Sequence, residues 1–241
     1  MVIIVSRVGW LANRLLHASS FMGNAKEHGY KVLHLFFDDY YPFFSESLSD
    51  NRIPIKFLGK RDSWLLSSFQ KFVTLGVKAF SKLGITKLPF VEIVRYDGWH
   101  QGLKPFDLND ERFVKKARSK LILVMGWAFR DPENFKKHKS LLLDTWMPNK
   151  YYRDNVEKYL NKYKDGADLL IGVHLRGGDY KSFEGGKWYY TPGQYYEKMK
   201  EVATLEISEI KRSVLLFVPM KKKFHYLLPG VFQYSTKKEI L

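Results

Sequence analysis

Short apolar runs alternate along this chain with longer stretches in which apolar residues recur every three to four positions. Residues 2–5 form the first run, and Ser6-Arg7-Val8-Gly9 follows it. Leu11, Leu15, Leu16, Phe21 and Met22 then recur near helical spacing, and Gly29 stands where a helix stops. Residues 31–37 read as a second strand. The order strand, loop, helix, strand opens a parallel α/β unit.

Residues 42–60 contain Pro, Ser and Asn and read as loop. Residues 61–83 carry a long amphipathic pattern, with Trp64, Leu65, Phe69, Phe72, Val73, Val77 and Phe80 largely on one side. Two readings stay open: a helix packed on the core, or a membrane-surface face with Lys71, Lys78 and Lys82 opposite the aromatics. Residues 90–95 and 121–125 are further strands, and 109–120 a helix between them. A charged helix over 151–164 stops at Asp165-Gly166. Residues 169–175 form a strand of buried character. A helix from Pro192 to about residue 205 and a strand over 214–218 complete a second α/β unit. The expected domains are therefore 1–165 and 166–241.

Of the 241 residues, 45% are hydrophobic and 16% aromatic, enough for a large core and too many for a disordered chain. There is no cysteine, which excludes a disulfide framework and a thiolate metal site and makes a reducing compartment the simplest home. No stretch reads as a signal peptide or a membrane-spanning helix. A cytoplasmic protein is expected, with contact at the inner face of a membrane. The net charge of +15 divides unevenly: residues 1–150 carry +10 and residues 211–241 carry +6. That balance suits an anionic partner or a phosphorylated substrate, and equally a lysine-rich solvated surface. A nucleic-acid-binding role is disfavoured, since the basic residues are scattered and no binding signature occurs.

Two loops carry candidate chemistry. In Val8-Gly9-Trp10-Leu11-Ala12-Asn13-Arg14, a strand passes into a helix, the place where parallel sheets bind ligands. Gly9 allows close backbone approach, and Asn13 and Arg14 fall in the first helical turn. In His174-Leu175-Arg176-Gly177-Gly178-Asp179-Tyr180, an arginine ends a buried strand and two glycines and an aspartate follow. A guanidinium there can clamp two phosphate oxygens, and the glycines leave room for a diphosphate against backbone N–H groups. The alternatives are an Arg176–Asp179 ion pair within a turn and a core histidine at His174.

His174-x-Arg176, with its small loop and Asp179, resembles the His-x-Arg-Arg-x-Asp element of the alpha-1,2- and alpha-1,6-fucosyltransferases. Gly9-Trp-Leu-Ala-Asn13-Arg14-Leu15 resembles their N-terminal Gly-x-x-x-Asn-Gln/Arg element. Both elements occur in the family's order, each after a strand, and the likeness is closest to bacterial alpha-1,2-fucosyltransferase-like proteins. It implies an α/β fold of the GT-B-like type, two Rossmann-type lobes with parallel sheets. It also implies an inverting transfer of fucose from GDP-fucose to a glycan or lipid-linked glycan, with no metal and no further cofactor. The donor would be held by Gly9, Asn13, Arg14, His174, Arg176, Gly177, Gly178 and Asp179. Glu184 lies where the alpha-1,6 enzymes place a catalytic glutamate; an exposed loop glutamate would look the same. Trp188, in the Gly- and aromatic-rich loop 182–190, suits a sugar. Asp38 and Asp39, after the second strand, are acceptor candidates or caps of the next turn.

Gly177 stands where the family usually has a second arginine, which the protein O-fucosyltransferase-like proteins also do without. From residue 166 only 76 positions remain, fewer than the roughly 120 of a full Rossmann lobe. The expectation is a second lobe that is incomplete, ending in a basic and frame-shifted tail, with impaired turnover. A different nucleotide-sugar donor is the competing enzyme reading, and a basic surface-binding protein the non-enzymatic one.

Overall fold

The computed structural model describes residues 1–58, 64–96, 104–164, 169–175, 178–205, 212–219 and 232–235. The chain divides into two compact units, Met1–Tyr152 and Arg153–Leu241. The division falls near the start of a helix, where the sequence pattern placed it just past that helix's end.

The first unit is built on five parallel strands: β1 (Val2–Ile4), β2 (Val32–His34), β3 (Ile55–Phe57), β4 (Val91–Arg95) and β6 (Leu121–Met125). Their order is β3-β2-β1-β6-β4. Val2 lies opposite Val32 on one side and Ile122 on the other. This is an α/β architecture compatible with a Rossmann-like fold. A small parallel pair, β5 (Phe106–Asp107) and β7 (Phe129–Arg130), stands apart from it.

Alternate strand residues serve opposite faces, so a sheet covered on both sides needs continuous apolar runs. Val2, Ile4, Val32, Ile55, Ile122 and Val124 pack with Phe21 and Met22 of α1 (Leu11–His28) and with Phe113 of α4 (Glu111–Ser119). Ile3, Val5, Leu33, Leu35, Leu123 and Met125 pack with Val73 and Val77 of α3 (Trp64–Lys82). α1 stops at Gly29 in the left-handed conformation (φ 70°), as the spacing predicts. In α4, Asp110 caps the first turn by accepting from the Arg112 and Phe113 backbone N–H groups.

The chain departs from the residue pattern at three places. Residues 42–58 are not all loop: they hold most of α2 (Tyr41–Leu48) and β3. Pro42 sits in the first helical turn, where its missing N–H costs nothing, and Phe44 and Leu48 are buried one turn apart. α3 splits its apolar side between the two readings: Val73 and Val77 face the sheet beside Gln70, while Phe69, Phe72 and Phe80 are exposed. α5 (Pro132–Lys137) and α6 (Lys139–Thr145) cover a stretch for which no element was foreseen.

The second unit takes up most of α7 (Lys150–Lys164) and continues with β8 (Leu169–Leu175), two 3₁₀ turns (Gly178–Lys181 and Phe183–Gly186) and α8 (Pro192–Leu205). It closes with β9 (Arg212–Pro219) and β10 (Phe232–Ser235). β8 and β9 are parallel, joined by the crossover helix α8 that such a pair requires. β10 pairs antiparallel with β9, so the sheet of this unit is mixed rather than purely parallel. An antiparallel partner needs no crossover helix. Among the described residues no helix is long and apolar enough to cross a membrane.

Candidate functional site

β1 and β2 are parallel neighbours, so their carboxyl ends bring loops 5–10 and 35–40 to one edge of the sheet. Gly9 turns the first loop into α1 with φ 52°, a conformation that disfavours a Cβ, and the Asn13 side chain folds over it. A Cβ at Gly9 would lie 2.3 Å from Asn13 Nδ2. The sequence-predicted pair Gly9 and Asn13 is thus in contact, with both residues exposed.

Arg14 is placed differently from the expected ligand contact. Its guanidinium is buried and donates to the Gly9 carbonyl (3.2 Å), the Phe36 carbonyl (3.2 Å) and the Asp39 carboxylate (3.2 Å). Its charged carbon also lies 4.9 Å from the centre of the Tyr40 ring. A guanidinium with three bonds in fixed directions fastens the two loops together. Arg14 is therefore a positioning residue. Asp39 receives a second cation, Arg7, at 2.5 Å.

Asp38 is the buried carboxylate of this edge. Both its oxygens accept from Arg7 Nη2 at 3.3 Å. Asp38 and Arg7 line an open cavity of about 440 Å³ whose other walls are Phe36 and the residues Ser67, Gln70, Lys71, Thr74 and Leu75 of α3. Gln70 is buried and donates to the Leu35 carbonyl. The cavity thus combines one carboxylate, two cations, an amide, two hydroxyls and an apolar wall. Such a mixture suits a polar ligand rich in hydroxyl groups.

Beneath this edge lie two fully buried histidines, His17 on α1 and His34 at the end of β2. His34 Nδ1 accepts from the Phe36 N–H at 3.1 Å, which leaves the proton of the neutral ring on Nε2, where it has no partner among the described residues. Among the described residues neither nitrogen of His17 makes a hydrogen bond of ordinary geometry, the Gly126 backbone being its nearest polar neighbour. Burial pushes His34 down to about 3, assisted by the Arg14 charge. Burial likewise holds His17 well below its ordinary value, with His34 and Arg130 adding to the effect and the Gly126 backbone opposing it.

In the second unit, Glu184 is the one non-glycine residue with positive φ among those described (φ 48°, ψ 43°), and Gly185 and Gly186 follow it with positive φ. Its carboxylate accepts from the Trp188 indole N–H at 2.9 Å. The predicted acid–base residue and the predicted sugar-contacting aromatic are joined by this bond. Both are exposed, and Lys187 lies 5.1 Å over the Trp188 ring. Left-handed backbone at a glutamate is strained, and such strain collects at functional turns. His174 is the penultimate residue of β8, and Gly178 and Asp179 open the first 3₁₀ turn. Arg176 and Gly177, and the side chains of His174 and Asp179, lie outside the described residues.

Sequence reasoning did not single out Arg7, Gln70 or the His17–His34 pair. Arg7 carried a signal, since a charge immediately after a buried strand sits at the ligand-binding edge. Gln70 was hidden by the aromatic pattern of its helix, and the two histidines meet only through packing. No family model, curated protein or solved structure matches the chain.

Proposed function

We propose that this chain is a nucleotide-sugar-dependent glycosyltransferase that moves fucose from GDP-fucose to a hydroxyl of a glycan or lipid-linked glycan, with inversion and without a metal. The observation that carries this reading is Asp38: a buried carboxylate, paired with Arg7, lining an open polar cavity at the carboxyl edge of a parallel sheet. The two sequence elements that resemble the fucosyltransferases supply the donor assignment. One of them, Gly9 to Arg14, lies at that same edge.

In the proposed reaction an acceptor oxygen forms a bond to the anomeric carbon while the bond from that carbon to the diphosphate oxygen breaks. GDP leaves with the electron pair, and the acceptor proton passes to Glu184. Arg176 meets the charge growing on the diphosphate, assisted by the backbone N–H groups of Gly177 and Gly178. Asp38 accepts a hydrogen bond from an acceptor hydroxyl, and Asp39 and Arg14 hold its loop. Trp188 offers a flat apolar face to a sugar ring and restrains the Glu184 carboxylate.

Calorimetric titration with GDP-fucose, GDP-mannose and a UDP-sugar tests the donor assignment. GDP-fucose is expected to bind most tightly, and Arg176→Ala to weaken it by about tenfold or more. Equal affinity of the wild type and Arg176→Ala for GDP-fucose removes the assignment.

A further inference from the structure

One face of the first unit has no partner among the described residues: the outer side of α3 and the turn that follows it. At about 100° per residue, Phe80, Phe69, Leu83, Phe72 and Leu75 fall on an arc of about 140° that begins beside Val73 and runs away from Val77 and Gln70. These side chains are exposed, Phe72 to 76%, and Phe90 beyond the turn reaches 81%. Isolated exposed apolar residues are ordinary on protein surfaces, but a contiguous set with two such aromatics marks an interaction face.

The charge pattern narrows the partner. Lys71, Lys78 and Lys82 occupy a narrow row at one edge of the apolar arc, beside Leu75. They lie roughly opposite Phe69 and Phe80, as the spacing predicts, and the apolar arc reaches them through Leu75 and Phe72. Lys87 follows in the turn. No aspartate or glutamate occurs from Ser63 to Val91. An apolar strip edged by lysines with no acidic residue complements the interface of an anionic bilayer: the rings enter the acyl boundary while the ammonium groups stay among the phosphates. A protein partner would have to meet an uninterrupted positive edge, and the apolar strip would be wasted on a nucleic acid.

We infer that α3 and the turn after it seat this protein on an anionic lipid surface. The cavity lined by Asp38 shares Lys71 and Leu75 with that seat. Granting the transferase reading above, the seat would bring the cavity to an acceptor carried on a lipid. The docking itself does not depend on that reading.

The test is flotation of the full chain with vesicles of phosphatidylcholine alone and of phosphatidylcholine with phosphatidylglycerol. Binding is expected to the anionic vesicles, to exceed binding to neutral ones by about tenfold or more, and to weaken as salt is raised. Phe72→Ser/Leu83→Ser and Lys78→Glu/Lys82→Glu are each expected to reduce it by about tenfold. These four side chains are exposed, so unchanged circular dichroism and thermal midpoint show that the variants fold. GDP-fucose affinity, measured in parallel without vesicles, separates failure of the docking from failure of the transferase reading. Equal binding to neutral and anionic vesicles, equal binding by wild type and both variants, or no binding overturns the inference. So does a self-association that the Phe72→Ser/Leu83→Ser variant abolishes in the absence of lipid binding.

Discussion

The imidazoles of His17 and His34 meet edge to face inside the first unit, with ring centroids 6.4 Å apart. One comes from the second turn of α1 and the other from the end of β2, so the contact exists only where that helix crosses that strand. His34 also stacks on Phe57 at 5.8 Å. Two neutral rings, three of whose four nitrogens lack a partner among the described residues, sit in a core built around Phe21, Phe37 and Phe129. Their presence ties the stability of this unit to pH.

Both rings stay neutral in the folded protein, His34 down to about pH 3, whereas an unfolded histidine takes up its proton near 6.5. Below that value the unfolded state binds protons that the folded state refuses, so stability is lost as pH falls. The expected loss approaches about 1.4 kcal/mol per pH unit for each imidazole. Urea unfolding at pH 7.5, 6 and 5 measures it. His34→Phe should remove one such increment from the slope; an identical slope in wild type and variant contradicts the buried neutral ring.

Arg14 holds two loops by three hydrogen bonds and leaves Asp39 and two carbonyls behind when truncated. Arg14→Ala should cost about 2–3 kcal/mol, less than a fully buried pair because Asp39 is partly exposed and keeps Arg7. A urea midpoint within error of wild type would mean that the loops are fastened by something else.

Glycines in two helices should respond with opposite signs. In α1 a Cβ at Gly23 would meet the Asn134 carbonyl oxygen at 2.9 Å, and that oxygen belongs to the backbone of α5. Gly23→Ala should therefore destabilise by about 1–3 kcal/mol despite the better helix former. In α3 nothing among the described residues lies within 4 Å of a Cβ at Gly76, so Gly76→Ala should stabilise by about 0.5–1 kcal/mol. Thermal midpoints that move in the same direction for both would refute the α1–α5 contact.

The two carboxylates proposed to act on the acceptor should separate kinetically. Glu184→Gln keeps the side-chain shape and should lower kcat by about 10²–10⁴, the range of a lost general base, with the acceptor KM little changed. Asp38→Asn should instead raise the acceptor KM by about tenfold, the loss of a charged hydrogen bond in binding. Initial rates of GDP release against acceptor concentration distinguish them, and a kcat insensitive to Glu184→Gln assigns the base elsewhere.

Much of the fold was legible in the residue pattern. The continuous apolar runs at 2–5 and 121–125 became the inner strands β1 and β6, and the run at 90–95, with its alternating polar positions, became the edge strand β4. The stop at Gly29 and the helix opening at Pro192 are local chemistry and need no tertiary partner. α2 and β3 were missed because Pro and Ser read as loop when only neighbours along the chain are considered. β3 is three residues long, and pairing with β2 is what makes it a strand. The same limit applied to α3: its period was plain, but which side met the sheet was not.

At the candidate site, the sequence by itself placed Gly9, Asn13, Asp38 and Asp39 at strand ends, because topology alone puts such loops on one edge of a parallel sheet. Tertiary structure decided that Arg14 is a fastener, that Arg7 faces Asp38, that Glu184 takes a left-handed backbone held to Trp188, and that Phe69, Phe72 and Phe80 of α3 turn outward. Periodicity identifies that a helix has faces, but the choice between them rests on contacts between residues far apart in the chain. Such contacts carry no mark in a single sequence.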